Sequence, residues 1–433
     1  MGFVNPQTTV NFVGGSPLNR LSWLRTSRVF IDAVLRSPST RWILFNSREP
    51  LLVSHKDQPT VRSLARLTTA DVKPLLGPEP YLGQAENDGD VAPHSVPALE
   101  VARLRGPKIV FLGLEEPHGT TAFLPSSDFS GEEALEVVAE RITGTPYFSL
   151  DVSDVDSSAL GVLLQNIQLT KDGGQVKFSE ARAAMNSMNW FDAAVFAEAR
   201  SMVDWNSRNR FCSSCGSPVY SLWAGWKLAC TTTLPWVADQ AKASGGKPCP
   251  SSIGLNNFSY PRTDPVIITV PVNETGDKIL LGRNAKWNRP VYSALAGFME
   301  PGETFEDSVK RELWEEAGVK VWDIKYHSSQ PWPFPANIMV GFYATASDSQ
   351  ELRIDLDNEL TGEWTDARWF TREEILAVIN HPKGTHFRPN SASEPGDDEP
   401  PFRIPPKTAI AGVLISDWAH GQSLDANCAS PRL

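Results

Sequence analysis

The chain has 433 residues, of which 41% are hydrophobic and 21% are charged, proportions typical of soluble globular proteins. This length is enough for about two or three domains with separate cores. The formal net charge of −11 disfavours a protein that grips nucleic acid through a broad basic face, although it is compatible with a local basic pocket. No apolar run is long enough to span a bilayer and no signal peptide is evident at the start, so we expect neither membrane insertion nor secretion.

The first part of the chain mixes predicted strands and helices. Strand-like runs occupy Arg41–Phe45 and Ile109–Leu114. A helix is predicted over Gly131–Ile142 and a longer one over Phe178–Trp205, where apolar residues recur with helical spacing. We therefore interpret residues 1–205 as a β-rich N-terminal domain.

Four of the five cysteines are clustered directly after this domain, at Cys212, Cys215, Cys230 and Cys249. An odd, clustered set without a signal peptide argues against a disulfide framework and for a metal site in a reducing compartment. Four thiolates are the ligand set of a tetrahedral structural Zn²⁺, and small buried thiols are the alternative. The long insertion before Cys249 leaves open whether this residue is the fourth ligand, and residues 206–258 are predicted to form a zinc ribbon with an insertion.

The pattern changes again in residues 259–433, which we interpret as a second domain. The predicted strands are Val266–Val272, Lys278–Leu281, Met339–Ala344 and Ala367–Phe370. The predicted helices, apart from the acidic one described next, are Thr371–Asn380 and Thr408–Trp418. Residues 386–406 are rich in Pro, Ser, Asp and Gly and predict a mobile loop.

An acidic helix is predicted within Gly297–Val319. Thr304 followed by Asp307 is a favourable helix start, and Gly318 is a favourable stop. The apolar residues between them recur every four positions and predict one buried stripe.

Three glutamates of this helix, Glu312, Glu315 and Glu316, are spaced so that their carboxylates share one face. Like charges placed in this way repel each other, and a divalent cation such as Mg²⁺ or Mn²⁺ removes the conflict. Arg311 can brace the carboxylates, and Glu303 can reach them from the preceding loop. A solvated acidic face is the alternative for an isolated E-x-x-E-E, but the spacing of the whole segment favours a metal site that activates water for attack on a diphosphate.

The segment follows the pattern G-x5-E-x7-R-E-U-x-E-E-x-G-U, with U aliphatic, and at every fixed position it resembles the Nudix box. The resemblance implies a Nudix α/β/α sandwich, an α+β chain overall, and hydrolysis of a nucleoside diphosphate linked to another group. It further implies that Glu312 and Glu316 are the principal metal ligands and that Glu315 is a third ligand or a base. The Ala296 carbonyl and Glu359 are further ligands by the same resemblance.

A stiff segment rich in proline and aromatic residues follows at Ser329–Asn337. It suits a rigid wall for a planar base, and an exposed proline-rich loop or a hydrophobic plug is the alternative. The segment resembles the SQPWPFPxS signature of the NADH pyrophosphatase branch of Nudix hydrolases, with Asn337 where that branch has Ser. The resemblance implies a dinucleotide pocket lined by Gln330, Pro331, Trp332, Pro333, Phe334, Pro335, Ala336 and Asn337, with Phe298, Tyr260 and Ala411 as further substrate contacts.

The same branch carries a zinc ribbon directly before its Nudix domain, as the cysteine cluster does here. The resemblance therefore predicts an NAD(H) diphosphatase that releases AMP and nicotinamide mononucleotide, with catalytic Mg²⁺ or Mn²⁺ and structural Zn²⁺. Removal of an NAD cap from RNA by the same chemistry is the alternative, beside a Nudix hydrolase for other substrates such as ADP-ribose or FAD. A non-catalytic Nudix module is disfavoured because no carboxylate of the box is lost.

Oligomeric state and location are predicted from weaker signals. The branch commonly forms homodimers in which both chains build the pocket. The last residues, Pro431-Arg432-Leu433, partly match a peroxisomal address of the S-K-L type, so either a peroxisomal or a cytoplasmic location is expected.

Overall fold

The computed structural model describes residues 10–55, 58–93, 95–117, 139–140, 142–243, 247–254, 256–284, 290–354, 364–385 and 399–422. The chain forms two compact units. The N-terminal unit comprises Ser16–Arg262 with Pro333–Ala336, and the C-terminal unit comprises Met1–Gly15, Thr263–Trp332 and Asn337–Leu433. None of the helices in the described ranges combines the length and the apolar character needed to cross a membrane.

Strands and helices alternate in the N-terminal unit. The strands are β1 (Leu18–Asn19), β2 (Arg41–Asn46), β3 (Glu49–His55), β4 (Gln58–Leu64), β5 (Ile109–Glu115), β6 (Thr145–Asp151), β7 (Gly174–Phe178), β8 (Val219–Leu222) and β9 (Lys227–Cys230). The helices are α1 (Arg28–Arg36), α2 (Thr69–Leu76), α3 (Ser157–Asn166), α4 (Gln168–Lys171), α5 (Ala181–Ser187), α6 (Trp190–Arg208) and α7 (Pro235–Ala243).

The main sheet of this unit has the strand order β1-β5-β6-β2-β3-β4, and β7 pairs with β3. Strands β2 and β6 are parallel, and the neighbouring pairs are antiparallel. Strand β2 contains four consecutive buried residues, Trp42–Phe45, as expected of a strand that is covered on both faces. Strands β8 and β9 form a separate hairpin beside the cysteines.

The C-terminal unit is built on a second sheet. Its strands are β10 (Asp264–Asn273), β11 (Lys278–Asn284), β12 (Leu295–Phe298), β13 (Val321–Trp332), β14 (Asn337–Ala346) and β15 (Trp364–Thr371). Its helices are α8 (Phe305–Ala317), α9 (Arg372–Asn380) and α10 (Ile410–Ala419). The strand order is β13-β14-β10-β11-β15, with β12 paired to β10 and with β10 and β14 parallel.

Helices cover both faces of this second sheet. Ile268 packs in one core cluster with Ile375 of α9 and Leu414 of α10. Its neighbour Ile267 points to the other face and packs in a cluster with Leu313 of α8. Because successive residues of a strand point to opposite faces, β10 contributes to two cores, and the unit is an α/β/α sandwich as predicted.

The two units share a strand order and the position of one helix. The order β5-β6-β2-β3 in the first sheet corresponds to β13-β14-β10-β11 in the second, and each order contains one parallel pair in the same place. A helix that begins with a threonine capping box precedes the outer strand in both units: Thr68 caps α2 before β5, and Thr304 caps α8 before β13. The N-terminal unit thus repeats the scaffold of the C-terminal unit, but α2 has eight residues and carries no cluster of glutamates.

Most predicted elements are confirmed, and the long predicted helix is the exception. Instead of one helix over Phe178–Trp205, the structure contains α5 and α6. Met188 between them has extended backbone angles, and the side chain of Asn189 accepts a hydrogen bond from the Asp192 N–H and caps α6. The predicted helix Gly131–Ile142 lies largely outside the described residues.

The ends of the C-terminal unit also differ from expectation. Residues 386–398 of the predicted loop lie outside the described residues, whereas Phe402 and Ile404 are 2% and 1% exposed and belong to the core. Residues 10–15 group with this unit rather than with the N-terminal domain, because the side chain of Asn11 donates hydrogen bonds to the Ser328 hydroxyl and the Ser329 carbonyl, both at 2.9 Å.

Candidate active site

Helix α8 carries the acidic residues at the border of the core. It begins after Thr304, and its capping box with Asp307 is formed as predicted. It ends at Gly318, where φ is 69°, a left-handed angle that favours glycine. Val309 and Leu313 are fully buried against the sheet.

The guanidinium of Arg311 lies among the carboxylates of the predicted metal site. It donates to Glu303 through Nε at 2.5 Å and through Nη2 at 3.0 Å. Its Nη1 donates to Glu312 at 2.8 Å and to Glu315 at 3.0 Å. Nη2 also donates to the Phe298 carbonyl at 2.8 Å, so one side chain ties the helix to the loop that precedes it.

The carboxylates differ in their environments. Glu312 and Glu316 are 9% and 5% exposed, whereas the side chain of Glu315 is about half exposed. Burial raises the pKa of Glu312, and Glu315 and Glu303 add to this effect while Arg311 opposes it. The hydrogen bonds from Arg311 lower the pKa of Glu303 to about 2. Three carboxylates, Glu303, Glu312 and Glu315, share one guanidinium, which leaves an excess of negative charge for a cation to neutralise.

Gly297 has no side chain and so leaves the space that the Glu312 carboxylate occupies. Strand β12 is held against β10, with Gly297 opposite Ile267 and Ala296 opposite Ile268. A Cβ atom at Gly297 would lie 1.8 Å from the Glu312 Cδ and 2.0 Å from both of its oxygens. The carboxylate therefore occupies the space that any other residue at this position would fill.

These residues fit a divalent cation. Oxygen ligands on one helix face, a strand glycine that makes room for them and an excess of negative charge are features that suit Mg²⁺ or Mn²⁺. In this structure Glu303, Glu312 and Glu315 are gathered by Arg311 rather than around a shared point. Glu359, the further predicted ligand, lies outside the described residues.

Two predicted substrate contacts lie near the acidic helix in the C-terminal unit. The ring of Phe298 is 58% exposed at the end of β12. Phe298 and Met339 are both register partners of Val266, and Asn337 begins β14 two residues before Met339. The Asn337 Oδ1 atom is buried, and no hydrogen-bond donor reaches it among the described residues. An exposed ring and an unused acceptor thus lie on one part of the sheet.

Gln330 and Ala411 have structural roles in this unit. The Gln330 side-chain amide donates hydrogen bonds to the Phe12 and Thr408 carbonyls. Its oxygen accepts a hydrogen bond from the Ile410 N–H. Gln330 is 1% exposed and Ala411 is 4% exposed, with Ala411 packed in the core beneath α10. Neither side chain presents an exposed group in this structure, and their contacts with a substrate stay predictions.

The centre of the proline-rich segment belongs to the N-terminal unit. Arg200 donates a hydrogen bond to the Pro333 carbonyl. The guanidinium groups of Arg182 and Arg200 lie 4.7 and 4.6 Å from the centre of the Phe334 ring. The following bond, Phe334–Pro335, is a cis peptide. Sequence analysis did not identify these arginines, since nothing in their spacing distinguishes them from ordinary helix residues.

The remaining predicted contacts lie at the edges of the segment and near the cysteines. Pro331 and Trp332 end β13 and are half-buried, while Pro335 is exposed and Ala336 is half-buried. Tyr260 packs beside Trp223 in the N-terminal unit, and the Lys227 ammonium group lies 5.6 Å from the Tyr260 ring.

The four clustered cysteines come together beside the β8–β9 hairpin. Their sulfur atoms all lie within 4.8 Å of one another, and Cys249 is among them. The Sγ–Sγ distances are 3.7 Å between Cys212 and Cys249 and 3.4 Å between Cys215 and Cys230. Tetrahedral Zn²⁺ with bonds of about 2.3 Å requires sulfur atoms roughly 3.8 Å apart, so the set fits zinc.

Family models match parts of both units, and several known proteins are similar over much of the chain. A NUDIX domain model matches residues 262–390, and a model of an NADH pyrophosphatase-like rudimentary NUDIX domain matches residues 39–205. A NAD-capped RNA hydrolase of Schizosaccharomyces pombe is 31% identical, over 97% of this chain and 97% of its own length. The human NAD-capped RNA hydrolase NUDT12 is 32% identical, over 94% of this chain and 73% of its own. The human mitochondrial NAD(P)H pyrophosphatase NUDT13 is 30% identical, over 64% of this chain and 69% of its own.

Proposed function

The chain belongs to the Nudix hydrolases, and from this membership we propose that it hydrolyses the diphosphate linkage of NAD(H) to AMP and nicotinamide mononucleotide. The observation that carries the proposal is the Glu312 carboxylate seated against Gly297 within a complete box. The rudimentary NUDIX domain at residues 39–205 and the segment Ser329–Asn337 support a dinucleotide as the substrate.

Glu312, Glu315, Glu316 and the Ala296 carbonyl would hold the divalent cations, with Glu359 as a further ligand. When bound, such cations neutralise charge on the diphosphate and lower the pKa of a water molecule. Glutamate oxygens and a backbone carbonyl are the hard ligands that Mg²⁺ and Mn²⁺ prefer.

The residues of the chain have separable tasks in this reaction. Arg311 fixes Glu312 and Glu303 through its hydrogen bonds and so orients the carboxylates. Glu315, whose carboxylate is half exposed, is the proposed acceptor of the proton that the attacking water loses as its oxygen bonds to phosphorus. The departing phosphate keeps the bridging oxygen. Phe298 offers its exposed ring for stacking on a base, and Asn337 is proposed as a further substrate contact from the family resemblance.

The proposal is tested by incubating the purified chain with NADH and Mg²⁺ or Mn²⁺ and measuring AMP. We expect AMP release that depends on the metal and falls by at least about 10²-fold in Glu316→Gln. Glu306→Gln is the matched control, because Glu306 is an exposed carboxylate on the same helix. Equal activity of Glu316→Gln and the wild type, or no AMP release, contradicts the proposal.

NAD-cap removal from RNA is the second candidate. It is favoured by the similarity over nearly the whole chain to a NAD-capped RNA hydrolase. The bond that breaks is the same, and only the group attached to the adenosine differs. Rates on free NADH and on a short NAD-capped RNA, measured at equal concentration, separate the two substrates.

Three further proposals concern the state of the protein. Cys212, Cys215, Cys230 and Cys249 are proposed to hold one structural Zn²⁺, since their sulfur atoms fit its tetrahedron. A homodimer is proposed from the family resemblance and is tested by light scattering. A peroxisomal location is proposed from the final tripeptide, with cytoplasm as the alternative, and deletion of Arg432–Leu433 tests it by microscopy.

A further inference from the structure

The N-terminal unit contains an open cavity of about 1120 Å³ that the proposed hydrolysis does not use. It lies between α2, α3 and the C-terminal end of α6, next to the beginning of β5 and the end of β6. Leu75, Val155 and Leu163 form an apolar wall. The volume is slightly above the usual range of small-molecule sites, about 300–1,000 Å³.

Helix α3, which borders the cavity, is packed poorly for its composition. Its sequence, Ser157 to Asn166, contains five apolar residues beyond its glycine, yet Leu160 alone is buried. Val162 lines the cavity and is 59% exposed. An apolar helix face of this kind is stabilised when a ligand covers it.

Lys108 lies in the cavity wall just before β5. Burial lowers its pKa, and the charged groups that add to this effect are two cations, Arg103 and Arg210. Among the described residues, no carboxylate lies within 4.0 Å of its ammonium group. A partly buried cation beside other cations calls for an anion from outside the chain.

The carboxylates of the cavity wall are already engaged with groups of the protein. Asp71 accepts hydrogen bonds from Thr68 and from the Gln168 N–H. Asp151 accepts from Ser153, and Asp154 pairs with Arg210 at 3.4 Å. These contacts leave Lys108 and Lys171 as the charged groups of the wall that have no ion pair among the described residues.

We propose that this cavity binds a phosphate monoester of nucleotide size, with its phosphate on Lys108 and its base against the apolar wall. The cavity is lined by residues of the N-terminal unit, whereas the box belongs to the C-terminal unit. It is therefore separate from the box on α8, and binding there does not depend on turnover.

Titration calorimetry of the full-length chain with AMP, without added divalent metal, tests the proposal. We expect binding that is roughly 10-fold to 100-fold weaker in Lys108→Met, because one charge-assisted contact is lost. Ala159→Trp, a change at an exposed α3 residue of the wall, should block the cavity without removing a polar group. Lys177→Met, which changes an exposed lysine on β7, should bind AMP as the wild type does.

Adenosine and inorganic phosphate identify which parts of the ligand are recognised. We expect adenosine and phosphate each to bind at least about 10-fold more weakly than AMP. The proposal is overturned if the wild type does not bind AMP under these conditions. It is equally overturned if neither Lys108→Met nor Ala159→Trp weakens AMP binding while both proteins melt as the wild type does.

Discussion

Substitution of Gly297 by alanine tests how strongly the activity depends on the position of the Glu312 carboxylate. The new Cβ would lie 1.8 Å from the Glu312 Cδ, whereas an ordinary non-bonded contact is about 3.5 Å. The carboxylate must therefore move by roughly 1.5 Å. Misplacement of a reacting group by about 1 Å can cost about 10²-fold in rate. We expect kcat/KM for NADH to fall by about 10²-fold, or about 2.7 kcal/mol of transition-state stabilisation.

The assay is AMP release from NADH over a range of Mg²⁺ concentrations, with thermal unfolding of each variant measured in parallel. Gly161→Ala is the matched control, because a Cβ at Gly161 on α3 meets no atom within 4 Å. We expect this control to keep wild-type activity. Gly297→Ala should remain folded, because the displaced carboxylate lies at the edge of the core.

A second substitution separates steric displacement from other causes. Glu312→Asp withdraws the carboxylate by one methylene group and so makes room for the new Cβ. If the clash is the cause, Gly297→Ala combined with Glu312→Asp should lose less activity than the two single losses predict together. Activity of the folded Gly297→Ala protein within about threefold of wild type would refute the reasoning.

Three other substitutions test the surroundings of the site. Arg311→Lys removes the planar guanidinium group that holds three carboxylates. The Mn²⁺ concentration for half-maximal activity should therefore rise by about 10-fold to 100-fold. An unchanged concentration would contradict the role of Arg311 in orienting the carboxylates. Gln330→Leu should reduce the free energy of unfolding, measured in urea, by roughly 1–3 kcal/mol and leave KM unchanged. A raised KM with unchanged stability would instead show that the Gln330 amide binds the substrate. Cys230→Ser should abolish the bound zinc that elemental analysis detects and should lower Tm. Cys428→Ser, which lies outside the described residues, should change neither the zinc content nor Tm. Zinc retained in Cys230→Ser would exclude the four-cysteine site.

Local patterns predicted the C-terminal fold well because they coincide with its contacts. The apolar run of β10 and the stripe of α8 are each readable from neighbouring residues. The break between α5 and α6 was missed, because the apolar period continues across Met188 and the cap at Asn189 is a single polar residue. The hydrogen bonds from Asn11 to β13 join residues more than 300 positions apart, and no local pattern encodes them.

In the candidate site too, local patterns were readable and contacts between distant segments were not. The glutamates of the box were predicted because their spacing on one helix is itself the signal. The steric need for Gly297 was not predicted, since it arises only when β12 is placed against α8. The contacts of Arg182 and Arg200 with Phe334 likewise depend on a chain crossing that sequence spacing does not report.

The interleaving of the two units has a practical consequence for fragment design. A fragment that starts at Thr263 would contain the whole box, but the Ser328 hydroxyl would lose its donor on Asn11 and the Gln330 amide would lose the Phe12 carbonyl. The same cut would leave Pro333–Ala336 without the Arg200 side chain that binds it. Excised Nudix fragments should therefore be less stable than the full chain, and an affinity tag is better kept away from the residues just before Val10.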